Sequence, residues 1–243
     1  MSPVAPSLDP DDRAGLLRQL RERPAYPLTE AARYLRVAPA TLRAWVCGRR
    51  YATQGGDRRS APLIVPAESG PPPLLSFNNL IEAYVLRALR TVHDTPLPAI
   101  RAALAYAERE LRIERLLLSR ALATHAREVF LEHYGELLNL SKSGQLAMRA
   151  VVEAYLSRID WDEAGRLPLR LYPLVATERV DAPRHIAIDP AIGFGRPVVR
   201  SRGISTRVIA ERIDAGETVA ELADDYGLAP AEIEEAVVYE RAA

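Results

Sequence analysis

The arginines between residues 23 and 61 are the side chains of this 243-residue sequence with the clearest chemistry. The stretch holds eight arginines against two acidic residues, Glu30 and Asp57, so it carries a net charge of about +6 in a chain that is neutral overall. A guanidinium group binds phosphate through parallel hydrogen bonds, and cationic stretches of this density are typical of proteins that contact nucleic acid. We therefore expect the chain to bind DNA.

Two short helices joined by a tight turn are predicted to position these arginines, because apolar residues recur at helical spacing over 28–46. Thr29 is expected to cap the first helix, and Pro39 suits the first turn of the second. This is a helix-turn-helix pattern. The residues predicted to contact base edges, on the outer face of the second helix, are Thr41, Arg43 and Ala44. Those predicted to contact the DNA backbone or the minor groove are Arg49, Arg50, Tyr51, Arg58 and Arg59.

A hairpin is predicted after the second helix, with strands at Tyr51–Thr53 and Leu63–Val65. Trp45 is expected to wedge this hairpin against the helices rather than to touch DNA. A solvated arginine-rich face, or a surface for RNA or protein, is the alternative to DNA binding. Further helices are predicted after Ser76 to about Val92, from about Pro98 to Leu111, and from Ser143 or Gly144 to about Ile159. The alternation in Glu128–His133 and Glu136–Leu140 predicts a small second hairpin.

The C-terminal region has the opposite charge, with ten acidic residues and three arginines from Ser205 to Ala243. Short strands are expected at His185–Ile188 and Pro197–Val199. Three helices are expected to follow, the second of which begins with a capping box of Thr218 and Glu221. Because carboxylates would be repelled by phosphate, this region is expected to form a dimer or to bind a basic protein.

These patterns predict a mainly α fold with small β elements. We expect an N-terminal tail and short helix over 1–25, and a winged helix-turn-helix domain over 26–92. A helical middle region with a β-hairpin would follow over 93–182, and an acidic three-helix domain over 183–243.

The N-terminal region resembles the MerR type of winged helix. The resemblance is carried by TEAARYLRVAPATLRAW, by the Arg49–Arg59 loop and by LSFNNLIEAYVLRALR, and it covers residues 26–92. Ala38 departs from the family pattern, in which a Ser or Thr caps the second helix. The resemblance implies a winged helix that binds DNA as a dimer and regulates transcription.

The C-terminal region resembles a small bacterial domain of VapB-type antitoxins. The matching elements are Ile188-Asp189-Pro190, Gly195-Arg196-Pro197-Val198, Ala215-Gly216, Ala220–Leu228 and Glu234–Glu240. Together with the MerR-like region, this resemblance implies a cytoplasmic antitoxin of a type II toxin–antitoxin pair. Such a protein would bind and neutralise a PIN-like ribonuclease toxin and repress its own operon as a homodimer.

The loop between Ile192 and Ile204 is a candidate toxin contact. Its residues that could engage an acidic, metal-binding pocket of a toxin are Phe194, Arg196, Arg200 and Arg202. A structured turn with solvated arginines is the alternative.

The sequence gives little support for catalysis. Its four histidines, at 93, 125, 133 and 185, lack the spacing of metal ligands, and Cys47 is the only cysteine. No phosphate-binding glycine loop or nucleophile elbow is present. The acid pairs Asp189 with Glu211 and Asp160 with Asp162 are expected to be surface or capping residues. We therefore expect a protein that is not an enzyme and needs no metal or cofactor.

A stand-alone MerR-like regulator with a ligand-sensing middle region is the alternative function. The aromatic residues that would line its pocket, if they are not part of the core, are Tyr84, Tyr106, Phe130 and Tyr155. The sequence contains no apolar run of membrane-spanning length, and its first residues lack a signal-peptide pattern.

Overall fold

The computed structural model describes residues 10–53, 56–91, 97–110, 112–113, 115–119, 132, 141–162, 167–174 and 183–242. Helices dominate this part of the chain, and its strands form four small antiparallel sheets, which confirms the prediction of a mainly α fold with small β elements. The N-terminal and middle elements are α1 (Pro10–Glu22), β1 (Tyr26–Pro27), α2 (Leu28–Leu35), α3 (Pro39–Cys47), β2 (Arg50–Thr53), β3 (Gly56–Arg59), β4 (Leu74–Leu75), α4 (Phe77–Thr91), α5 (Leu97–Glu110), α6 (Lys142–Leu156), β5 (Ile159–Trp161) and β6 (Pro168–Leu171).

The C-terminal part begins with a three-stranded sheet and continues as three helices. Its elements are β7 (Ile186–Ala187), β8 (Val198–Val199), β9 (Ile204–Ser205), α7 (Thr206–Asp214), α8 (Val219–Tyr226) and α9 (Pro230–Arg241). The predicted capping box of Thr218 and Glu221 opens α8, and Gly227 closes this helix in the left-handed conformation. Local sequence signals therefore fix both ends of α8.

Helix α4 is the centre of the larger hydrophobic core. The Ser76 side chain caps it, since its Oγ accepts a hydrogen bond from the Asn79 N–H at 3.2 Å. Every residue from 77 to 89 except Arg87 is buried. Tyr84 packs against Tyr155 of α6 with ring centroids 4.9 Å apart. The core extends from the helix-turn-helix through the middle region, so α4 supports the helices that carry the candidate DNA contacts.

A smaller core lies between the three C-terminal helices and the β7–β8–β9 sheet. The two cores meet at β7, because Ile186 belongs to the smaller core and Ile188 to the larger one. Leu171 and Ile188 exchange backbone hydrogen bonds of 3.0 and 2.8 Å. The C-terminal part is thus joined to the end of β6 by main-chain pairing.

Two sequence predictions in the N-terminal region are wrong. The second strand of the hairpin is β3, not Leu63–Val65, because β2 pairs in antiparallel register with Gly56–Arg59, the nearer segment along the chain. Thr29 does not cap α2. Strand β1 runs directly into this helix, so Pro27 is the N-cap and Thr29 lies inside the first turn.

Further along the chain, α6 begins at Lys142 with Ser141 as its N-cap, slightly before the predicted start. Strands β5 and β9 were not predicted. The predicted hairpin of Glu128–His133 and Glu136–Leu140 lies outside the described residues except for Glu132, which is helical rather than extended. The domain boundaries after residues 25, 92 and 182 stay predictions.

Candidate nucleic-acid interface

Helices α2 and α3 form the helix-turn-helix around a three-residue turn. Arg36 ends α2 in the left-handed conformation (φ 52°, ψ 44°), and the Val37 N–H donates to the Ala32 carbonyl at 2.9 Å. This reversal allows Pro39 to begin α3 at its predicted position. Ala38 has no side-chain oxygen that could cap α3. The Thr41 N–H instead donates to the Ala38 carbonyl at 2.8 Å.

Helix α3 buries one face and exposes the other. Leu42, Trp45 and Val46 are buried against the core. On the opposite face Arg43 is exposed, and Thr41 and Ala44 beside it are half-buried. Among the three predicted base-contacting residues, Arg43 is therefore the one with a freely accessible hydrogen-bonding group.

Sequence reasoning missed the exposed first turn of α3. Pro39 and Ala40 are both exposed and lie four and three residues before Arg43, so they continue its face of the helix. Their small apolar side chains allow the start of α3 to approach a surface closely. The helical spacing from Arg43 is the signal that could have identified both residues.

The hairpin is attached to the C-terminal end of α3. Arg59 donates from Nε to the Cys47 carbonyl at 2.9 Å. The Ser60 N–H donates to the Arg49 carbonyl, and the Arg49 N–H donates to the Ser60 Oγ, both at 2.9 Å. Gly48 (φ 71°) is required here, because a Cβ atom at this position would lie 2.0 Å from the Ser60 carbonyl oxygen. Arg59 thus helps to orient the hairpin.

The other residues predicted to contact DNA from the hairpin are Arg49, Arg50, Tyr51 and Arg58. Arg49 is exposed beside the end of α3. Arg50 and Tyr51 lie in β2, and Arg58 lies in β3, where the register pairs Tyr51 with Arg58. The side chains of Arg50, Tyr51 and Arg58 lie outside what the structure describes. The backbone nevertheless places all four residues on one hairpin next to α3.

Trp45 is a core residue, as expected, with 1% of its surface exposed. Its carbonyl accepts hydrogen bonds from the N–H groups of Leu63 (2.7 Å) and Ile64 (3.2 Å). Residues 63–65, which were predicted as a strand, therefore cross the C-terminal end of α3.

The last turn of α2 contacts the end of the C-terminal helix α9, which sequence reasoning did not anticipate. Arg33 forms an ion pair with Glu240 at 2.5 Å, and the Glu240 side chain is 9% exposed. The guanidinium of Arg36 lies over the Tyr239 ring, 5.5 Å from its centroid. No local signal marks these pairs, because the partners are about 200 residues apart.

Helices α2 and α9 also cap each other. The Tyr239 hydroxyl donates to the Tyr34 carbonyl at 3.0 Å, in the last turn of α2. In return, Arg36 Nη2 donates to the carbonyls of Val238 (3.4 Å) and Tyr239 (3.2 Å), in the last turn of α9. Arg87 of α4 satisfies the Leu35 carbonyl at 2.8 Å. Carbonyls in the last turns of α2 and α9 thus accept hydrogen bonds from residues that are distant in the sequence.

Phe194 is the aromatic member of the predicted toxin-contacting set. It lies in a tight turn where the N-terminal and C-terminal parts of the chain meet. It adopts φ 56° and ψ 29° with 96% of its surface exposed. A left-handed conformation costs about 1–2 kcal/mol for a residue with a side chain. Gly195 is buried behind it, and the Gly195 carbonyl accepts a hydrogen bond from the Tyr26 hydroxyl at 3.0 Å.

The three arginines of that set do not form one cluster with equal surroundings. Arg196 is exposed. It lines a small cavity together with Phe194. Arg200 lies 5.9 Å from the centroid of the Tyr172 ring, and Arg202 Nε donates weakly to the Gly227 carbonyl at 3.4 Å. The structure therefore separates Phe194 and Arg196 from Arg200 and Arg202.

Much of the acidic charge of the C-terminal part is paired within the chain. Arg212 bridges Glu217 and Asp225, Arg241 pairs with Asp214, and Arg207 pairs with Glu211. His185 contacts Glu235 at 2.6 Å, and burial raises the pKa of the Glu235 carboxyl. The acidic residues that keep exposed carboxylates without an ion pair among the described residues include Asp224 and Glu234.

The acid pairs considered for catalysis have structural roles. Asp189 accepts from Arg170 (3.0 Å) and from the Ala191 N–H (2.9 Å), and Asp160 accepts from the Tyr172 hydroxyl at 2.6 Å. Asp162 accepts from the Leu167 N–H at 3.1 Å. Within the described residues, no group of three metal-ligating side chains is present. No helix there is long and apolar enough to cross a membrane.

Two family models match parts of the chain. Residues 24–104 match the family described as "Putative DNA-binding HTH domain", and residues 186–239 match "Protein of unknown function (DUF433)". The match over 24–104 and the geometry of α2 and α3 define a protein with a DNA-binding helix-turn-helix domain.

Three similar proteins come from Mycobacterium tuberculosis. Putative antitoxin VapB45 of Mycobacterium tuberculosis H37Rv is 31% identical over 229 residues, which cover 88% of this chain and 92% of that protein. This chain belongs to the same family. Uncharacterized protein Rv2308 of the same organism is 27% identical, with 90% of each chain covered. The crystal structure of Rv2018 from M. tuberculosis superimposes with a TM-score of 0.64 at 25% identity, covering 88% of this chain and 98% of that one.

Proposed function

We propose that this chain is the antitoxin of a type II toxin–antitoxin pair of the VapB kind. In this proposal it binds and neutralises a PIN-like ribonuclease toxin and represses its own operon as a homodimer. The N-terminal region acts as a MerR-like winged helix, with the β2–β3 hairpin as the wing. Neither role requires catalysis by this chain.

The observation that carries the DNA-binding part is the exposed face of α3. Arg43 lies on this face, and Arg49 lies on the adjoining end of the hairpin. Arginine recognises guanine in the major groove through two hydrogen bonds, and phosphates along the groove suit the hairpin arginines. The net positive charge of residues 23–61 agrees with this arrangement. Dimerisation would place two copies of α3 on the two halves of a palindromic operator.

The toxin-binding part is supported by the relationship to putative antitoxin VapB45. The predicted contacts Phe194, Arg196, Arg200 and Arg202 are all exposed. An aromatic side chain between guanidinium groups suits a pocket that is apolar inside and acidic at its rim.

Fluorescence anisotropy with a labelled duplex from upstream of the gene tests the DNA-binding part. For Arg43→Ala we expect the preference over a scrambled duplex to fall by about 5- to 150-fold, because a bidentate base contact provides about 1–3 kcal/mol of discrimination. For Arg49→Ala we expect both duplexes to bind more weakly and the salt slope to fall by about 1, as for a lost phosphate contact. Arg109→Ala, an exposed arginine on α5, is the control.

An unchanged sequence preference in the Arg43→Ala chain would contradict this account of base recognition. Expression of the neighbouring open reading frame, with and without this chain, tests the toxin-binding part. We expect growth arrest by the neighbour alone, together with rescue and co-purification by this chain. A harmless neighbour that does not co-purify would refute the antitoxin proposal.

A stand-alone regulator that senses a small molecule is the second candidate function, and a cavity favours it. The cavity has a volume of about 480 Å³ and lies between α1, residues 63–67, α4, α5, Ile113 and residues 115–117. Arg115 bridges Glu22 (2.8 Å) and Glu82 (3.0 Å) on its wall. The predicted aromatic lining is wrong for this cavity, because Tyr84 and Tyr155 are buried in the core instead.

Tyr106 does not line this cavity either, and Phe130 lies outside the described residues. A small molecule that stabilises the parent chain but not a Leu104→Trp chain, in which the larger side chain fills the cavity, would support the sensing function. It would also have to change the affinity for DNA. Stabilisation of both chains to the same extent would count against this cavity as the sensor.

A further inference from the structure

Phe194 is the most exposed large hydrophobic side chain among the described residues. Glycine or asparagine would fit its left-handed backbone at lower cost. An aromatic ring that is fully solvated and held in a costly conformation gains nothing for the folded chain itself. Such outliers tend to mark functional positions.

The turn that carries Phe194 is held in place on both sides. The Gly195 N–H donates to the Ile192 carbonyl at 3.0 Å, and the Arg196 N–H donates to the Gly193 carbonyl at 3.1 Å. Behind the turn, a Cβ atom on Gly195 would lie 2.1 Å from the Tyr26 hydroxyl oxygen. The ring is thus presented by a backbone already in its final conformation, which lowers the entropy lost when a partner binds.

A cavity of about 280 Å³ adjoins the ring and joins α1, the start of α2 and the Phe194 turn. Its apolar wall includes Leu20. Arg23 and Arg196 line it from opposite elements, and both are exposed with no ion-pair partner in the described part of the chain. Glu30 is the single acidic residue in this lining. An exposed aromatic anchor and two cationic groups therefore line one cavity.

We infer that Phe194, Arg196, Arg23 and Leu20 form one protein-docking surface, here called the Phe194 surface. Its occupant is the partner protein of the proposed function, on which this inference rests. The partner contributes an apolar pocket for the ring and carboxylates around that pocket for the two arginines. Charge complementarity supports this choice, because an isolated apolar groove would not need flanking guanidinium groups.

This assignment divides the predicted toxin contacts. Phe194 and Arg196 belong to the surface, whereas Arg200 and Arg202 contact Tyr172 and Gly227 of this chain. It also adds Leu20 and Arg23, which lie at the opposite end of the sequence. Because Glu30 of α2 lines the same cavity, the bound partner would touch the first turn of the helix-turn-helix.

Phe194→Gly in the full chain tests the anchor, with the product of the neighbouring open reading frame as the probe. Glycine relieves the left-handed strain, so we expect the thermal midpoint to stay within about 2 °C of the parent or to rise. The dissociation constant should increase at least about 30-fold, as for the loss of a central anchor. Leu146→Ala, which removes another exposed apolar side chain, should leave this constant unchanged.

Arg23→Ser and Arg196→Ser test the flanking charges, with Arg18→Ser on another face of α1 as the matched control. We expect each test variant to weaken partner binding several-fold, with the loss becoming smaller at high salt. The control should bind like the parent. Unaltered binding by Phe194→Gly, or equal losses in all three arginine variants, would overturn the Phe194 surface.

The outcomes separate this inference from the proposed function. If the parent binds the probe and Phe194→Gly binds equally well, the antitoxin proposal stands and the Phe194 surface is wrong. If the parent itself does not bind the probe, both fail. Loss of dimer by Phe194→Gly in sedimentation, with partner binding retained, would assign the surface to a second copy of this chain and would refute the occupant named here.

Discussion

Tyr239→Phe is expected to weaken the junction between α2 and α9 without leaving a cavity. The Tyr239 side chain is 2% exposed, and its hydroxyl donates to the Tyr34 carbonyl at 3.0 Å. Phenylalanine keeps the ring and removes only the donor. The Tyr34 carbonyl, at the end of a helix, would then be buried without a partner.

The expected loss of unfolding free energy follows from that orphaned carbonyl. A buried polar group deprived of its partner costs about 1–3 kcal/mol. For a chain of this size, 1 kcal/mol corresponds to a shift of about 2–4 °C in thermal midpoint. A loss near 2 kcal/mol would therefore lower the midpoint by about 4–8 °C.

Thermal unfolding followed by circular dichroism measures this shift, and Tyr84→Phe is the matched control. Tyr84 is also buried, but its hydroxyl has no hydrogen-bond partner among the described residues. Removing that hydroxyl should leave the midpoint unchanged or raise it. If Tyr239→Phe were no less stable than Tyr84→Phe, the reciprocal capping of α2 and α9 would not contribute to stability, and the reasoning would be refuted.

Gly195→Ala should lose about 1–3 kcal/mol, because the added Cβ atom would clash with the Tyr26 hydroxyl. Gly216→Ala has a positive φ but no atom within 4 Å of the added Cβ, so a larger loss in Gly195→Ala, measured by urea unfolding, isolates the clash. Glu221→Gln should be less stable than the parent at neutral pH. Hydrogen bonds from Thr218 lower the pKa of the Glu221 carboxyl, so its stabilisation is lost as pH falls through that pKa, and the two thermal midpoints should converge in acid.

Elements with strong local signals could be predicted from the sequence. Pro39 begins α3, Ser76 caps α4, and the Thr218–Glu221 box opens α8, because each depends on residues within four positions. The buried face of α3 also followed from helical spacing. Short-range chemistry alone determines these features.

Features that depend on distant partners could not be predicted. The pairing of Arg33 with Glu240 and the hydrogen bond from Tyr239 to Tyr34 join opposite ends of the chain. Arg33 was counted among the charges available to nucleic acid, but the fold commits it to an ion pair. Leu63–Val65 has the composition of a strand, yet β2 pairs with Gly56–Arg59, which is nearer to it along the chain.

The sequence predicts only part of the candidate site, because some of its residues come together only in the tertiary fold. Arg43 could be placed on the outer face of α3 because helix geometry alone exposes it. The sequence singles out Phe194 by its type, but it does not reveal the left-handed backbone of Phe194 or the hydrogen bond from Tyr26 to the neighbouring Gly195 carbonyl. Its neighbours Leu20 and Arg23 could not be grouped with it, because only the tertiary fold brings α1 to that turn.

The mutual capping of α2 and α9 has a consequence for how such genes diverge. The last turn of α2 receives its donor from Tyr239, and the last turn of α9 receives its donor from Arg36. A recombinant that joined this helix-turn-helix to another C-terminal segment would lose the Tyr239 donor and would leave Arg36 without the ring and carbonyls that it contacts. Because Arg33 pairs with Glu240 and Arg36 lies over the Tyr239 ring, we expect position 33 to change together with 240, and position 36 with 239, so that the two ends of the gene are inherited as a single unit.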